Sequence, residues 1–168
     1  MFEELMATLI NMGPIGFFFA SIIANASIIL PIPIDLAVFV FAPVYASTGN
    51  VMGPLILGVI VGTGASIGEL SGYFLGLVGM KSYEKMKKSE IDNIHKLKEK
   101  ISDKGIPIIA FFAFTPLPFD AVGIAAGLIK YPMKKFFVGC WIGKVPRYII
   151  IAYAGYYGIP WVLKFFGG

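Results

Sequence analysis

Two prolines two residues apart interrupt an otherwise apolar run, at Leu30-Pro31-Ile32-Pro33-Ile34-Asp35. Each proline fixes φ and removes a backbone donor, so a continuous helix cannot pass through the pair. A carboxylate follows at once. The same Pro-x-Pro-x-Asp pattern returns at Pro116, Pro118 and Asp120, again inside an apolar run. In a bilayer, broken backbone is tolerated only where protein or a water-filled cavity satisfies the freed groups. Paired interruptions in corresponding halves point to a transporter binding site.

Composition places the chain in lipid. Of 168 residues, 57% are hydrophobic and only 14% charged, with mean hydropathy +0.80. Soluble domains carry about 25% charged residues. The single cysteine, Cys140, excludes an internal disulfide and a Cys-rich metal site. The single histidine, His95, lies in a polar segment and reads as a solvated residue, so a His-based catalytic or metal centre is not expected. No His/Asp/Arg cluster of a membrane phosphatase is present, and the chain reads as a non-enzyme without cofactor or metal. Lys and Arg are absent before Lys81, and eight lysines then fall between Lys81 and Lys104. That asymmetry is a topology signal and not a nucleic-acid footprint. Glu3 and Glu4 precede the first apolar segment where a signal peptide would be basic, so no removable leader is expected.

In chain order, Met1–Met12 has helical periodicity and reads as a short interfacial helix, broken by Gly13-Pro14 with the proline at a favourable first position. Ile15–Leu30 and Leu36–Tyr45 are the arms of a first hairpin. The second arm is roughly 15 Å of helix, half a bilayer, so the pair reads as re-entrant. After the polar turn Ser47–Asn50, Val51–Gly79 is the clearest spanning helix. Gly58, Gly62, Gly64, Gly68, Gly72 and Gly76 are expected to form a strip along one face that admits a close neighbour. Glu69 lies within this helix and needs a partner inside the bundle. Residues 80–104 form a polar connector, either an amphipathic helix on the membrane surface or a solvated linker; its lysines suit anionic headgroups. Ile106–Phe114 and Ala121–Ile129 are the arms of a second hairpin. Lys130–Lys135 reads as a basic loop, Phe136–Gly158 as a second span, and Trp161 and Lys164 as interfacial anchors.

With these elements the topology closes. If the first hairpin opens on one side, the Val51 helix crosses, the second hairpin opens on the other side, and the last helix returns. The basic loops 81–104 and 130–135 then share one side, the cytoplasmic one by the positive-inside rule. The repeat unit is a hairpin plus a spanning helix, in two oppositely oriented copies. Gly64, Gly68, Glu69 and Tyr73 correspond to Gly139, Gly143, Lys144 and Tyr148 at one fixed offset. Glu69 and Lys144 therefore hold equivalent places with opposite charge, as a reciprocal pair or around a shared polar cavity. The fold class is an all-α integral membrane protein, an inverted repeat of re-entrant hairpin and transmembrane helix.

Gly64-Ala65-Ser66-Ile67-Gly68-Glu69-Leu70-Ser71-Gly72-Tyr73-Phe74-Leu75-Gly76 resembles the G-A-x-x-G-[DE]-x-x-G-Y-x-x-G signature of the DedA family, also known as VTT-domain or SNARE-associated Golgi proteins. Pro31 to Asp35 is similar to that family's first hairpin, Pro116 to Gly127 to its second, and Gly143 and Gly155-Tyr156-Tyr157-Gly158 to its last helix. The resemblance covers about Ile15 to Gly158, one domain over residues 1–168. It implies a multi-pass protein of the cell membrane that moves lipids as a flippase or scramblase, polyprenyl-phosphate carriers or phospholipids, with protonatable carboxylates and arginines required. Family arginines flank the second hairpin's proline; Ala113 and Phe119 stand there in this chain, whose only arginine is Arg147. That departure marks a divergent branch and moves phosphate handling to Lys144 and Arg147.

The expected binding residues are Asp35, Glu69, Asp120, Lys144 and Arg147, with Pro31, Pro33, Pro116 and Pro118 shaping the turns. Asp35 and Asp120 can cap the returning arms or exchange protons in a wet cavity. Lys144 and Arg147, three apart on one helix face, are placed to hold a lipid phosphate unless the three acids pair with them first. Expected partners are membrane lipids, lipid phosphates among them, with protons as coupling ion; a homo-oligomer is an open assembly state. A small-ion or solute carrier is the alternative function.

Overall fold

The computed structural model describes residues 8, 12–26, 33–45, 51–79, 104–116 and 119–166, the last seven by backbone alone. All the described regular structure is helical: α1 (Pro14–Ala26), α2 (Ile34–Tyr45), α3 (Met52–Gly68), α4 (Leu70–Gly79), α5 (Gly105–Phe114), α6 (Asp120–Leu128) and α7 (Met133–Phe166). All of the expected interfacial helix but Thr8 and Met12, the connector but Lys104, Pro31, Pro118 and the side chains of Trp161 and Lys164 lie outside the described residues.

Local sequence sets the boundaries. Gly13 takes φ +66°, a conformation L side chains rarely adopt, and Pro14 opens α1 as its pre-set φ favours. At the end of α6, Lys130 occupies the left-handed position (φ 51°) while the Tyr131 N–H donates to the Ala126 carbonyl at 2.9 Å, a Schellman closure with lysine in the usual glycine place. Lys134 and Lys135, expected in a loop, lie instead in the first turn of α7. There the Phe136 N–H reaches back to the Pro132 carbonyl at 3.0 Å. Hydrogen bonding overrides the modest penalty for cations at a helix N-terminus.

Two segments are long and apolar enough to cross a membrane, Met52–Gly79 (α3 with α4) and Met133–Ile159 within α7. The helices α1, α2 and α5 are apolar and much shorter. Thirteen residues of α1 rise about 20 Å against a hydrocarbon core of about 30 Å. Large apolar side chains face outward all round the bundle, among them Phe19, Leu36, Val44, Phe74, Phe111 and Ile150. Lipid, not water, is the solvent such a surface suits.

The short helices pack on the long ones more than on each other. Helix α1 runs along α3, with Ser21 at Gly64 and Asn25 at Gly68; α5 runs along the first half of α7, with Ile109 at Gly139 and Ala113 at Gly143. Then the partners cross over. Helix α2 lies along the second half of α7, Phe39 at Gly155, and α6 lies along α4, Gly123 at Gly72 and Gly127 at Gly76. For α1, α5 and α6 both residue numbers rise together, and for α2 the contact of Asp35 with Arg147 precedes that of Phe39 with Gly155, so each short helix runs parallel to its long partner. The long helices are antiparallel: Gly58 meets Ile149, and Gly62 meets Val145. Hence α1 and α2 run in opposite directions, as do α5 and α6.

The glycines do not form one strip. Gly58 and Gly62 face α7, Gly64 and Gly68 face α1, and Gly72 and Gly76 face α6. Glycines four apart share a neighbour, whereas the two-residue step from Gly62 to Gly64 turns about 200° on a 3.6-residue helix and the break between α3 and α4 separates Gly68 from Gly72. Two apolar cores result. One joins Phe17, Val38, Leu57, Val61 and Ala152; the other joins Tyr73, Ile109, Phe119, Phe136 and Cys140.

A Cβ at Gly62 would stand 2.6 Å from the Val145 Cα, whereas one at Gly79 meets only the Leu128 Cδ2 at 3.6 Å. Gly62→Val should therefore force α3 off α7 and abolish a cooperative melt in detergent, while Gly79→Ala should melt within a few degrees of the parent.

Candidate functional site

Between the two cores lies a polar layer. Its first member sits at the one break in the longer apolar segment: α3 ends at Gly68, Glu69 donates its N–H to the carbonyls of Ala65 and Ile67, and α4 begins at Leu70. Glu69 is about 26 Å along the segment by helix rise and about 15 Å from its far end. Only 3% of it is exposed. Lys144, on α7, is equally buried, and its Nζ lies 2.5 Å from the Glu69 Oε1. Nζ also donates to the Asn25 Oδ1 at 2.8 Å and sits 5.4 Å from the centre of the Phe119 ring. Asn25 is itself fixed, since its Nδ2 donates to the Ser21 carbonyl at 2.9 Å.

One turn further on, Arg147 reaches both hairpins. Its Nη2 is ion-paired with Asp35 Oδ2 on the first turn of α2, and its Nη1 donates to the Thr115 carbonyl, 3.0 Å away at the end of α5. Tyr148, 1% exposed, lies against Asn25 and Asp35. Asp120, on the first turn of α6, makes no hydrogen bond or ion pair among the described residues.

These side chains surround a cavity of about 580 Å³ lined by Asp35, Glu69, Asp120, Lys144, Arg147 and Tyr148, with Pro33 and Pro116 at its turns. All five ionisable residues singled out in the sequence thus stand around one space. The alternatives left open by the sequence resolve in detail. Glu69 and Lys144 form a reciprocal pair and share the cavity. Asp35 pairs with Arg147 and is not spent on capping; no side chain caps α6, where Phe119 holds the N-cap position. Sequence reasoning missed Asn25, although it is the one carboxamide in the apolar run 15–45. It also missed the Thr115 carbonyl, freed where α5 ends before Pro116.

A family model for the VTT domain matches residues 39–157. The chain belongs to the DedA family. No curated protein and no solved structure matches it. Family membership makes this a membrane protein, in keeping with the two apolar spans. The matched stretch holds Glu69, Asp120, Lys144 and Arg147 and begins just beyond Asp35. Ala113 is fully buried, and a Cβ on Gly143 would come within 2.7 Å of its own Cβ. Phe119 is 5% exposed and its ring lies beside Lys144.

Removing one member of a buried ion pair strands its partner and costs about 3–5 kcal/mol, whereas replacing both is far milder. Lys144→Met should therefore lower unfolding stability by about that amount, and Lys144→Met with Glu69→Gln should regain much of it. Denaturant titration in detergent distinguishes this from simple additivity, which would mean the two side chains do not depend on one another.

Proposed function

We propose that this VTT domain moves lipids across the bilayer as a flippase or scramblase, its two hairpins acting as oppositely inserted re-entrant loops of an inverted repeat. The observation that carries this reading is the polar cavity. It sits at mid-span between two apolar cores, where the proline-broken turns of both hairpins converge on five ionisable side chains. Charged groups at that depth are costly and mark a transport path by default. The reciprocal packing supports the inverted repeat: each long helix carries the first arm of its own hairpin and the second arm of the other. On this reading the loops 81–104 and 130–135 face the cytoplasm, and a lipid headgroup crosses through the cavity while its chains stay in the membrane.

Family membership supports a transporter of this kind, and the cations supply the specificity. Arg147 offers a planar fork suited to a lipid phosphate. In the resting arrangement that fork is held by Asp35 and the Thr115 carbonyl, so an arriving phosphate competes with both. Asp35 is then the group that exchanges: it releases Arg147 as the headgroup binds and takes a proton or counter-ion as it does so. A small-ion or solute carrier is the second reading. It is favoured by the same two ion pairs, which satisfy both cations without any anionic ligand.

Reconstitution in liposomes carrying a fluorescent phospholipid or a labelled polyprenyl phosphate tests the proposal. The parent should carry label between leaflets, Asp35→Asn and Arg147→Lys should each slow this at least tenfold, and both variants should remain folded. Liposomes that pass ions or small solutes but no labelled lipid would establish the second reading instead. The inverted arrangement is tested separately. In a Cys140→Ser background, single cysteines at Val51 and Lys134 should label from opposite sides of the membrane, and labelling from one side overturns it.

A further inference from the structure

The charges around the cavity do not balance. Lys144 offsets Glu69 and Arg147 offsets Asp35, which leaves the Asp120 carboxylate over. Moreover, Lys144 engages only one oxygen of Glu69. The other, Oε2, has no hydrogen-bond partner among the described residues, although Glu69 is 3% exposed and lines the cavity. Nothing in the transporter reading uses that oxygen. An unsatisfied carboxylate oxygen in a buried layer carries the full desolvation penalty of the group.

We propose that a compact monovalent cation, an alkali ion or the primary ammonium of a lipid head, occupies the side of the cavity between the Glu69 Oε2 and Asp120. The two carboxylates line the same cavity from helices packed against one another, α4 with its preceding turn and α6, where a Cβ on Gly72 would meet the Asp120 carbonyl at 3.6 Å. Asp35, across the cavity, is engaged by Arg147. The N-terminal end of α6 directs partial positive charge at Asp120. That eases Asp120 but donates nothing to Glu69 Oε2. One positive charge brings the five side chains to neutrality, whereas a divalent ion would leave an excess. Carboxylate oxygens are hard donors, suited to alkali ions and to the three N–H groups of a primary ammonium. The cation deepens the transporter reading, as the ion coupled to headgroup movement or as part of the headgroup. Its binding is measured without transport, so the two can fail separately.

The test is the melting temperature of the purified protein in detergent, followed by tryptophan fluorescence. The titrants are NaCl, KCl, methylammonium chloride and N-methyl-D-glucamine chloride, at fixed ionic strength and pH. A saturable rise with at least one of the three compact cations over the bulky control is expected. Asp120→Asn should fold, because Asp120 holds no bond in the described structure, and should lose that rise. Glu69→Gln should lose it as well, and a saturable broadening of the ²³Na resonance by the parent provides a readout independent of stability. A response to sodium or potassium identifies a free ion; one confined to methylammonium identifies a lipid amine. Equal melting in all four salts without broadening, or an undiminished response in Asp120→Asn, overturns the proposal. So does stabilisation that follows acidification alone, which would assign the place to a proton.

Discussion

A lysine at mid-span of an apolar helix bundle has to be answered, and Lys144 is answered from three directions. Glu69 supplies charge from the α3–α4 junction, Asn25 supplies an oxygen from α1, and the Phe119 ring supplies a π face from the foot of α6. Arg147, one turn on, is answered by Asp35 from α2 and a freed carbonyl from α5. These two cations on one helix therefore connect α7 with elements of both hairpins and with the other long helix. In the proposed function, transport draws on the same contacts as stability. Apolar packing alone would leave the hairpins free to slide in lipid, since lipid tails are as apolar as the cores.

Close backbone approach makes those polar contacts geometrically available. Glycines on α3, α4 and α7 let each short helix lie directly on a long one, which brings side chains as short as Asn25 and Asp35 to the bundle's centre. Pro43 contributes in an unexpected way. It removes the donor that would bond the Phe39 carbonyl, and that carbonyl lies against Gly155 on α7. The same crossover that seats α2 on α7 and α6 on α4 carries both proline-broken turns to the cavity wall.

Much of this was legible in the sequence because its signals are local or repeated. Pro14, the limits of α5 and the hairpin arms follow from breakers and apolar runs. The pairing of Glu69 with Lys144, expected from a fixed offset between two similar segments, is seen in the structure. Long-range choices were not legible. Nothing local says that Asp35 pairs with Arg147 while Asp120 stays unpaired, because that depends on how α2 and α6 seat on different long helices. The glycine row does not keep one face because the two-residue step from Gly62 to Gly64 and the helix break at Glu69 turn it onto new neighbours. Lys134 and Lys135 were misplaced because charge marks a loop in sequence, whereas the Pro132 carbonyl starts a helix there.

Charge complementarity between Asp35 and Arg147 seats the first hairpin on α7, and exchanging that pair's signs tests this most directly. Asp35→Arg and Arg147→Asp should each lower the melting temperature in lipid nanodiscs, because each places two like charges together. The double variant restores an opposite pair in the same place and should recover most of the loss, short only of the bond to the Thr115 carbonyl. A double variant that melts as low as the sum of the two single losses would contradict the account and leave the seating of the hairpin to apolar packing.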